Sequence, residues 1–299
     1  MADLRPSPET LAVFELPSQP VSIDSDAALR SALDAQEQPP KSMGVFLSHM
    51  PSRRRGHPPD PRVTPLHQLA VSLHYPGSDV PVLWIIECAR VDLHGLRELW
   101  SPASGPAPYV LFFDAHQAGA ALARVFEPAP AATDTDTATA TTTALPSRFG
   151  CLRTATTLLA AGTSSTREAR TLHGLAARLL KRQLPGQIDH QGQLSADLTS
   201  TLPRTLACAA AVLVPMMRTL TPMLRKRGLA KVYGLECELL PAVLDMELAG
   251  MTVDASLFQQ YVREWERERA QIRREHPAGS EVPEKAVRSR LARLDKLIS

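Results

Sequence analysis

The sequence is short of cysteine, of aromatic residues and of net charge, and each shortage excludes a class of protein. Its four cysteines (Cys88, Cys151, Cys208 and Cys237) stand far apart among 299 residues, so the sequence indicates neither a zinc ribbon nor a disulfide framework. Aromatic residues make up only 5%, which argues against a platform that stacks several bases. The 33 basic and 31 acidic residues give a formal net charge of +2, which excludes a histone-like polycation but allows a local basic groove.

Targeting signals are also missing from the sequence. The first residues, MADLRP, contain an early acid and no apolar stretch, unlike a signal peptide. No apolar run reaches the roughly 18 residues that a membrane span needs. We therefore expect an intracellular protein without a membrane partner, and the sequence does not distinguish nucleus, organelle and cytoplasm.

Composition and proline placement predict the domain organisation. Hydrophobic residues make up 44% of the chain, enough for a core of ordinary size. Residues 1–20 contain four prolines and few apolar residues, and are predicted to be a flexible leader. Residues 21–232 are predicted to form one domain, in which 127–147 are a low-complexity insertion of Ala, Thr and Pro, and 233–299 a helical segment.

The pattern of apolar runs predicts an α/β fold. A short strand at 21–23 and a helix capped by Asp24 or Ser25 come first. Three apolar runs separated by turns, at 43–47, 66–75 and 80–88, predict an antiparallel meander, and a further strand follows at 109–113. The later chain reads as helices, of which one, at 202–227, should be kinked or ended by Pro215 and Pro222.

The most specific stretch is residues 232–254, which read VYGLECELLPAVLDMELAGMTVD. It resembles the junction between the 3′–5′ exonuclease domain and the thumb of family A DNA polymerases, where a segment of the form E-x-P-L-x-P-V-L-x-x-M-E-x-x-G-I-x-V-D recurs. The positions in register are Glu236, Leu239, Leu240, Pro241, Val243, Leu244, Met246, Glu247, Gly250, Val253 and Asp254. Without the family, the same residues predict an ordinary amphipathic helix, a stop at Gly250 and a second helix capped by Asp254.

The resemblance implies a fold and a context. The fold would be an RNase H-like, DnaQ-type exonuclease domain, a mixed sheet flanked by helices, followed by the root of a polymerase thumb. The polymerase palm and fingers have no counterpart in these 299 residues. The chain therefore looks like a truncated or split piece related to a DNA-directed DNA polymerase.

The resemblance also places an exonuclease active site, and that site lacks its acids. In the family, four carboxylates hold two divalent metal ions that activate water and stabilise the leaving oxygen. The expected positions are occupied by Leu47, His49, Gln117 and Ala209, none of which supplies a carboxylate. We therefore expect no catalytic residue, metal or cofactor in this chain, with Mg²⁺ relevant only where a polymerase module is present elsewhere.

The final third of the chain carries the candidate DNA-binding residues. In the family, thumb helices hold the primer-template backbone, which implies weak DNA binding here and a polymerase core as partner, in cis or in trans. The candidates are Arg263, Arg267, Arg273, Arg274, Arg290 and Arg293. The alternative is a solvated helix, because glutamates interleave with these arginines and can form i,i+4 pairs.

The sequence thus predicts a catalytically inactive exonuclease-like portion of a family A DNA polymerase, with a structural and DNA-seating role in replication or repair. Two alternatives stay open. One is a scaffold or interaction protein that does not bind nucleic acid. The other is an active exonuclease whose metal ligands have moved to Glu87, Asp92 and Asp114.

Two further clusters have plainer interpretations. The spacing of His49, His57, His67 and His74 matches no common metal-ligand pattern. The arginines at 53–55 could contact phosphate, but loop arginines are more often simply solvated.

Overall fold

The computed structural model describes residues 11–36, 38–49, 65–100, 106–126, 145–161, 171–185, 202–250 and 254–275. The chain divides into two compact units, residues 1–248 and 249–299. The arginines at 53–55, His57, Arg290, Arg293, most of the 127–147 insertion and the part of the predicted helical segment after residue 275 lie outside the described residues. The predicted domain boundary between residues 232 and 233 stays a prediction.

The first unit consists of six strands and seven helices in its described part. The strands are β1 (Val21–Ile23), β2 (Ser42–His49), β3 (Leu66–His74), β4 (Val82–Glu87), β5 (Tyr109–Phe112) and β6 (Phe149–Cys151). The helices are α1 (Asp26–Asp34), α2 (Arg97–Trp100, after a 3₁₀ turn at Leu93–Leu96), α3 (Ala115–Phe126), α4 (Leu152–Ala160), α5 (Leu172–Leu180), α6 (Leu202–Lys226) and α7 (Ala230–Ala249). The second unit is described through α8 (Ala255–Glu275).

The strands form one mixed sheet in the order β1-β4-β3-β2-β5-β6. The neighbours β2, β3 and β4 pair in antiparallel fashion, which confirms the predicted meander. β5 and β6 extend the sheet in parallel beyond β2, and β1 pairs in parallel with β4 at the other edge. The connecting helices α1, α2 and α3 cover one face of the sheet, and α4, α5 and α6, which follow the last strand, cover the other.

Alternation along the strands sends side chains to two separate cores. In β2, Met43 and Val45 pack into the core under α1, α2 and α3, whereas Phe46 packs into the core under α4, α5 and α6. Because strand side chains alternate between faces, a residue's position in β2 fixes the core that it can reach.

Helix α6 lies against the sheet at unusually short range. Ala207–Ala211 are all buried, and the Ser72 hydroxyl of β3 donates a 2.9 Å hydrogen bond to the carbonyl oxygen of Ala210. A Cβ atom on Gly44 of β2 would overlap that same carbonyl oxygen. The small side chains of α6 and Gly44 together let helix and strand backbones approach this closely.

The prediction that Pro215 or Pro222 ends this helix was wrong, since α6 runs unbroken through both, and a kink at either proline stays a prediction. Each proline removes one i→i−4 hydrogen bond, a cost that tertiary packing can offset. Here most of the helix is buried between the sheet, α4 and α5. Nearby hydroxyls also bond to the helix backbone: Thr219 donates to the carbonyl of Pro215, and Thr221 to that of Met217.

By length and composition α6 resembles a membrane span, since the most apolar 18-residue window within Pro203–Lys226 has a mean hydropathy of 1.5. However, 67% of its most apolar window is buried inside the fold, as in the core helix of a globular domain. Among the described residues it is the single helix that passes this test.

Two parts of the first unit differ from prediction. Within the predicted leader, Phe14 donates a 2.7 Å backbone hydrogen bond to the carbonyl of Gln183, and Ser18 bonds to the carbonyl of Pro81, so residues 12–18 are attached to the fold. The apolar side chains of Phe14 and Leu16 pack against the core, and this burial holds the segment on the fold despite its prolines. Strand β6 was not predicted, because three residues beside a low-complexity segment carry no periodicity.

The junction helices confirm their predicted ends. α7 ends at Ala249 and Gly250 follows with a φ of 66°, the left-handed conformation that glycine tolerates. The carboxylate of Asp254 accepts hydrogen bonds from the backbone N–H groups of Ser256 and Leu257 and so caps α8. The Ser256 hydroxyl also donates to this carboxylate at 2.7 Å, and this bond first, then the two backbone bonds, lower the pKa of Asp254.

Candidate functional site

The carboxyl ends of β2, β4, β5 and β6 meet at one edge of the sheet, since all four strands run in the same direction. Side chains at such an edge are the usual place for a site in an α/β fold. The predicted site positions Leu47, His49 and Gln117 belong to this edge. What stands there decides whether the fold can hold a metal.

The structure does not bring the predicted positions Leu47 and Ala209 together. Leu47 packs against the core under α1, α2 and α3, whereas Ala209 is fully buried in the core under α6. His49 ends β2, in register with Leu66. The β2 residues on the α6 side of this end are Phe46 and Ser48, and neither of them carries a carboxylate.

Gln117 lies in the first turn of α3, where Asp114 is the neighbouring acid. One Asp114 carboxylate oxygen accepts from the Gln117 backbone N–H at 3.3 Å, and the other pairs with Arg153 at 2.5 Å. Asp114 is therefore engaged in capping α3 and in an ion pair with α4. Both roles are structural.

Glu87, another acid considered as a relocated ligand, sits at the end of β4. There its carboxylate accepts a hydrogen bond from the Gln68 side-chain amide of β3. Gln68 is buried, and its side-chain oxygen has no hydrogen-bond partner in the described part of the chain. Ser48, Gln68 and Glu87 thus form a polar row across β2, β3 and β4 on the α6 side.

The relocated acids do not converge. Glu87 and Asp114 follow β4 and β5, which are separated by β3 and β2, so about three strand spacings or roughly 14 Å lie between them. Asp92 accepts instead from the backbone N–H of His94 and caps the 3₁₀ turn, and these bonds lower its pKa. Across the described ranges, no group of three or more His, Cys, Asp or Glu side chains could hold a metal ion.

One polar link at this edge could not be predicted from the sequence. His116, in the first turn of α3, contacts Glu247 of α7 through its Nε2 atom at 2.8 Å. Glu247 is one of the junction-motif residues, so the motif is tied to the position next to Gln117. In the sequence, only the acid Glu247 in the motif pointed to such a link. Its partner, His116, lies 131 residues away in sequence, so local spacing cannot identify it.

A cluster of buried hydroxyl and thiol groups lies where α7 passes β6. The Tyr233 hydroxyl accepts a 3.0 Å hydrogen bond from the Cys151 backbone N–H. Because Gly150 has no side chain, the hydroxyls of Tyr109 and Tyr233 can lie where its Cβ atom would be. Burial raises the pKa of Tyr233 and of Cys237, so both stay protonated. Protonated, buried groups of this kind pack the core and do not act as nucleophiles.

His74, one of the four histidines whose spacing was considered above, is buried. It sits at the end of β3, and its Nε2 atom has no hydrogen-bond partner among the residues described. Desolvation, aided by the charge of Arg218, lowers its pKa to about 4. It is therefore neutral at physiological pH, which suits a core position.

The described candidate arginines lie on α8, and all are exposed: Arg263, Arg267, Arg273 and Arg274. At 100° per residue, Arg263, Arg267 and Arg274 share one face of the helix. The opposite face carries Phe258, Tyr261 and Trp265, of which the last two stack with ring centroids 6.2 Å apart. α8 is thus basic on one side and aromatic on the other.

No family model matches the sequence, and no curated protein matches it. Solved structures do match the fold. The POL domain of Pol1 from M. smegmatis, in complex with DNA primer-template and dNTP, has a TM-score of 0.54 at 17% identity and covers 85% of this chain and 36% of that chain. The catalytic core of RRP6 from Trypanosoma brucei has a TM-score of 0.53 at 12% identity. The match covers 97% of this chain and 83% of that chain. Brucella melitensis NrnC bound to pGG has a TM-score of 0.50 at 16% identity. The match covers 72% of this chain and 90% of that chain.

Likenesses at such low identity show the fold. The RNase H-like, DnaQ-type α/β fold, a mixed sheet flanked by helices, is confirmed. The chain is exonuclease-like in architecture, and its closer relation to family A polymerases stays a prediction.

Proposed function

We propose that this chain is a catalytically inactive exonuclease-like module that seats nucleic acid for a polymerase core of the family A kind, supplied in cis or in trans. One observation carries the proposal: α6 packs its small residues directly onto β2 at Gly44, and the next β2 residues on that side, Phe46 and Ser48, carry no carboxylate. An alanine-lined backbone contact offers no oxygen ligand except carbonyls already bonded in the helix.

The chemistry of the strand ends supports the same proposal. Two-metal phosphodiester hydrolysis needs carboxylates that converge on ions about 4 Å apart. Here Glu87, Asp92 and Asp114 each bond to a different neighbour, and Glu87 and Asp114 lie roughly 14 Å apart by strand spacing. Architecture without converging acids favours a binding or packing role.

The first test is hydrolysis. Purified protein incubated with 5′-labelled single-stranded DNA and Mg²⁺ or Mn²⁺ should release no nucleotides from the 3′ end, because nothing at the strand ends activates water. Asp114→Ala and Glu87→Gln should leave that baseline unchanged. Trimming that either variant abolishes would instead establish an active exonuclease with relocated ligands.

Nucleic-acid seating is proposed for the basic face of α8. The Pol1 structure contains DNA primer-template and the NrnC structure contains pGG, which supports a nucleic-acid role for this fold. Exposed arginines aligned on one side of a helix neutralise backbone phosphates without reading sequence. The aromatic side of α8 remains available for packing.

This seating makes a quantitative prediction. For primer-template binding, the logarithm of the association constant falls linearly with the logarithm of the salt concentration. Replacing Arg263, Arg267 and Arg274 together by alanine should reduce the size of that slope by about 3, since each phosphate contact contributes about 0.9. Affinity should fall accordingly at low salt. Fluorescence anisotropy of a labelled duplex across a salt series measures both quantities.

The matched control replaces three exposed arginines of the first unit, Arg30, Arg90 and Arg124, and should leave the slope almost unchanged. If the unmodified protein shows no DNA affinity even at low salt, the scaffold alternative replaces the proposal. Equal effects of the two triple variants would reject α8 as the binding face.

A further inference from the structure

Helix α7 is apolar on two separate sides. One side packs on the rest of the first unit through Tyr233, Cys237 and Leu244, all buried. At 100° per residue these three residues cluster about 140° around the helix from Leu239. A helix that needed only to cover the sheet would be polar on that second side.

The second side is a regular apolar row, here named the α7 seam: Val232, Leu235, Leu239, Ala242 and Met246. Its large members are 42%, 67%, 54% and 73% exposed for Val232, Leu235, Leu239 and Met246. The spacing alternates three and four residues, the repeat of coiled-coil a and d positions. The row extends along about 21 Å of helix, at 1.5 Å per residue.

The positions that flank the α7 seam are mainly acidic. In the coiled-coil repeat, Glu236 occupies an e position, and Glu238 and Asp245 occupy g positions. Lys231, at the first g position, is the single basic residue of α7. Glu236 and Glu238 are both exposed, and they border the two most central leucines, Leu235 and Leu239.

We propose that the α7 seam is a docking surface for a basic amphipathic helix of a partner protein. The partner helix would place leucine-like residues against the seam and lysine or arginine at the positions facing Glu236 and Glu238. Helix recognition of this kind uses anchors at i, i+3, i+4 and i+7. A second copy of α7 is the poorer occupant, because in a parallel pair its one basic residue, Lys231, would face Glu236 while Glu238 would face Val243.

This inference does not depend on nucleic-acid binding or on inactivity, and it extends the proposed function to a protein partner. It is tested with two synthetic three-heptad peptides that have leucine at every a and d position. One carries lysine and the other glutamate at every e and g position. Fluorescence anisotropy of each labelled peptide with the full chain gives its affinity, at low and at high salt.

We expect the lysine peptide to bind at least about tenfold more tightly than the glutamate peptide at low salt, with the difference shrinking as salt rises. The double variant Glu236→Lys/Glu238→Lys should reverse the preference, because only the flanking charges change. The double variant Leu235→Ser/Leu239→Ser should abolish binding of both peptides. Val80→Ser, at another exposed apolar residue, should leave binding intact.

Three outcomes would overturn the inference. They are equal binding of both peptides, an unchanged preference in the charge-reversed variant, and concentration-dependent dimerisation that Leu235→Ser/Leu239→Ser removes, measured by analytical ultracentrifugation. Circular dichroism of each variant shows whether it retains the fold. None of these outcomes bears on DNA trimming or on the salt slope of α8, so failure here and failure of the proposed function are distinguishable.

Discussion

Gly44→Ala is expected to lower the free energy of unfolding by about 3 kcal/mol. The new methyl group would overlap the carbonyl oxygen of Ala210, and it would also press on the Ser72 hydroxyl that bonds to that carbonyl. A backbone oxygen inside a buried helix cannot rotate away, so either α6 or β2 must shift. Urea denaturation followed by circular dichroism measures the loss.

Two other glycines provide matched controls. Gly119→Ala should cost less, about 1 kcal/mol, because its methyl meets the end of the Leu244 side chain, which can change rotamer. Gly234→Ala, inside α7 with no atom near its Cβ position, should raise stability by about 0.5 to 1 kcal/mol. If Gly44→Ala raises the free energy of unfolding as Gly234→Ala does, α6 and the sheet do not lie as close together as described.

Acidification should destabilise the protein through His74. Its pKa falls from 6.5 to about 4 on folding, so below pH 6.5 the unfolded chain takes up a proton that the folded chain refuses. The contribution of His74 is therefore complete above pH 6.5 and is lost as the pH falls toward 4. One proton linked in this way is worth about 1.4 kcal/mol per pH unit, or up to about 3 kcal/mol over the window.

The measurement is urea denaturation at a series of pH values for the unmodified protein and for His74→Gln. Other histidines and carboxylates titrate equally in both proteins, so the difference between the two isolates His74. We expect that difference to change with pH between 6.5 and 4 and to be constant above 6.5. A constant difference throughout would show that His74 is solvated in the folded state.

The sequence predicted the parts of the fold that have strong local patterns. The meander of β2, β3 and β4 follows from apolar runs between turns, and the stop at Gly250 and the Asp254 cap follow from single residues with defined conformational roles. The resemblance at 232–254 led to the fold class. Each of these signals lies within a few residues of the structure that it specifies.

The remainder depends on partners distant in sequence. The continuity of α6 through Pro215 and Pro222 comes from burial against the sheet, and β6 exists because β5 and α7 flank it. For the site, the residues at the expected acid positions could be read from the sequence, but which side of β2 faces α6 could not. The link between His116 and Glu247 and the polar row at Gln68 likewise need the assembled sheet.

The hydrogen bond from Cys151 to the Tyr233 hydroxyl has a consequence for how the chain can be divided. β6 is an outer strand, and an outer strand with free N–H groups is a template for aggregation. α7 shields it by supplying an acceptor to one of those N–H groups and by covering its flank with apolar side chains. A fragment that stopped before α7 would therefore be prone to aggregate, whereas one extending through Gly250 would keep its sheet edge protected.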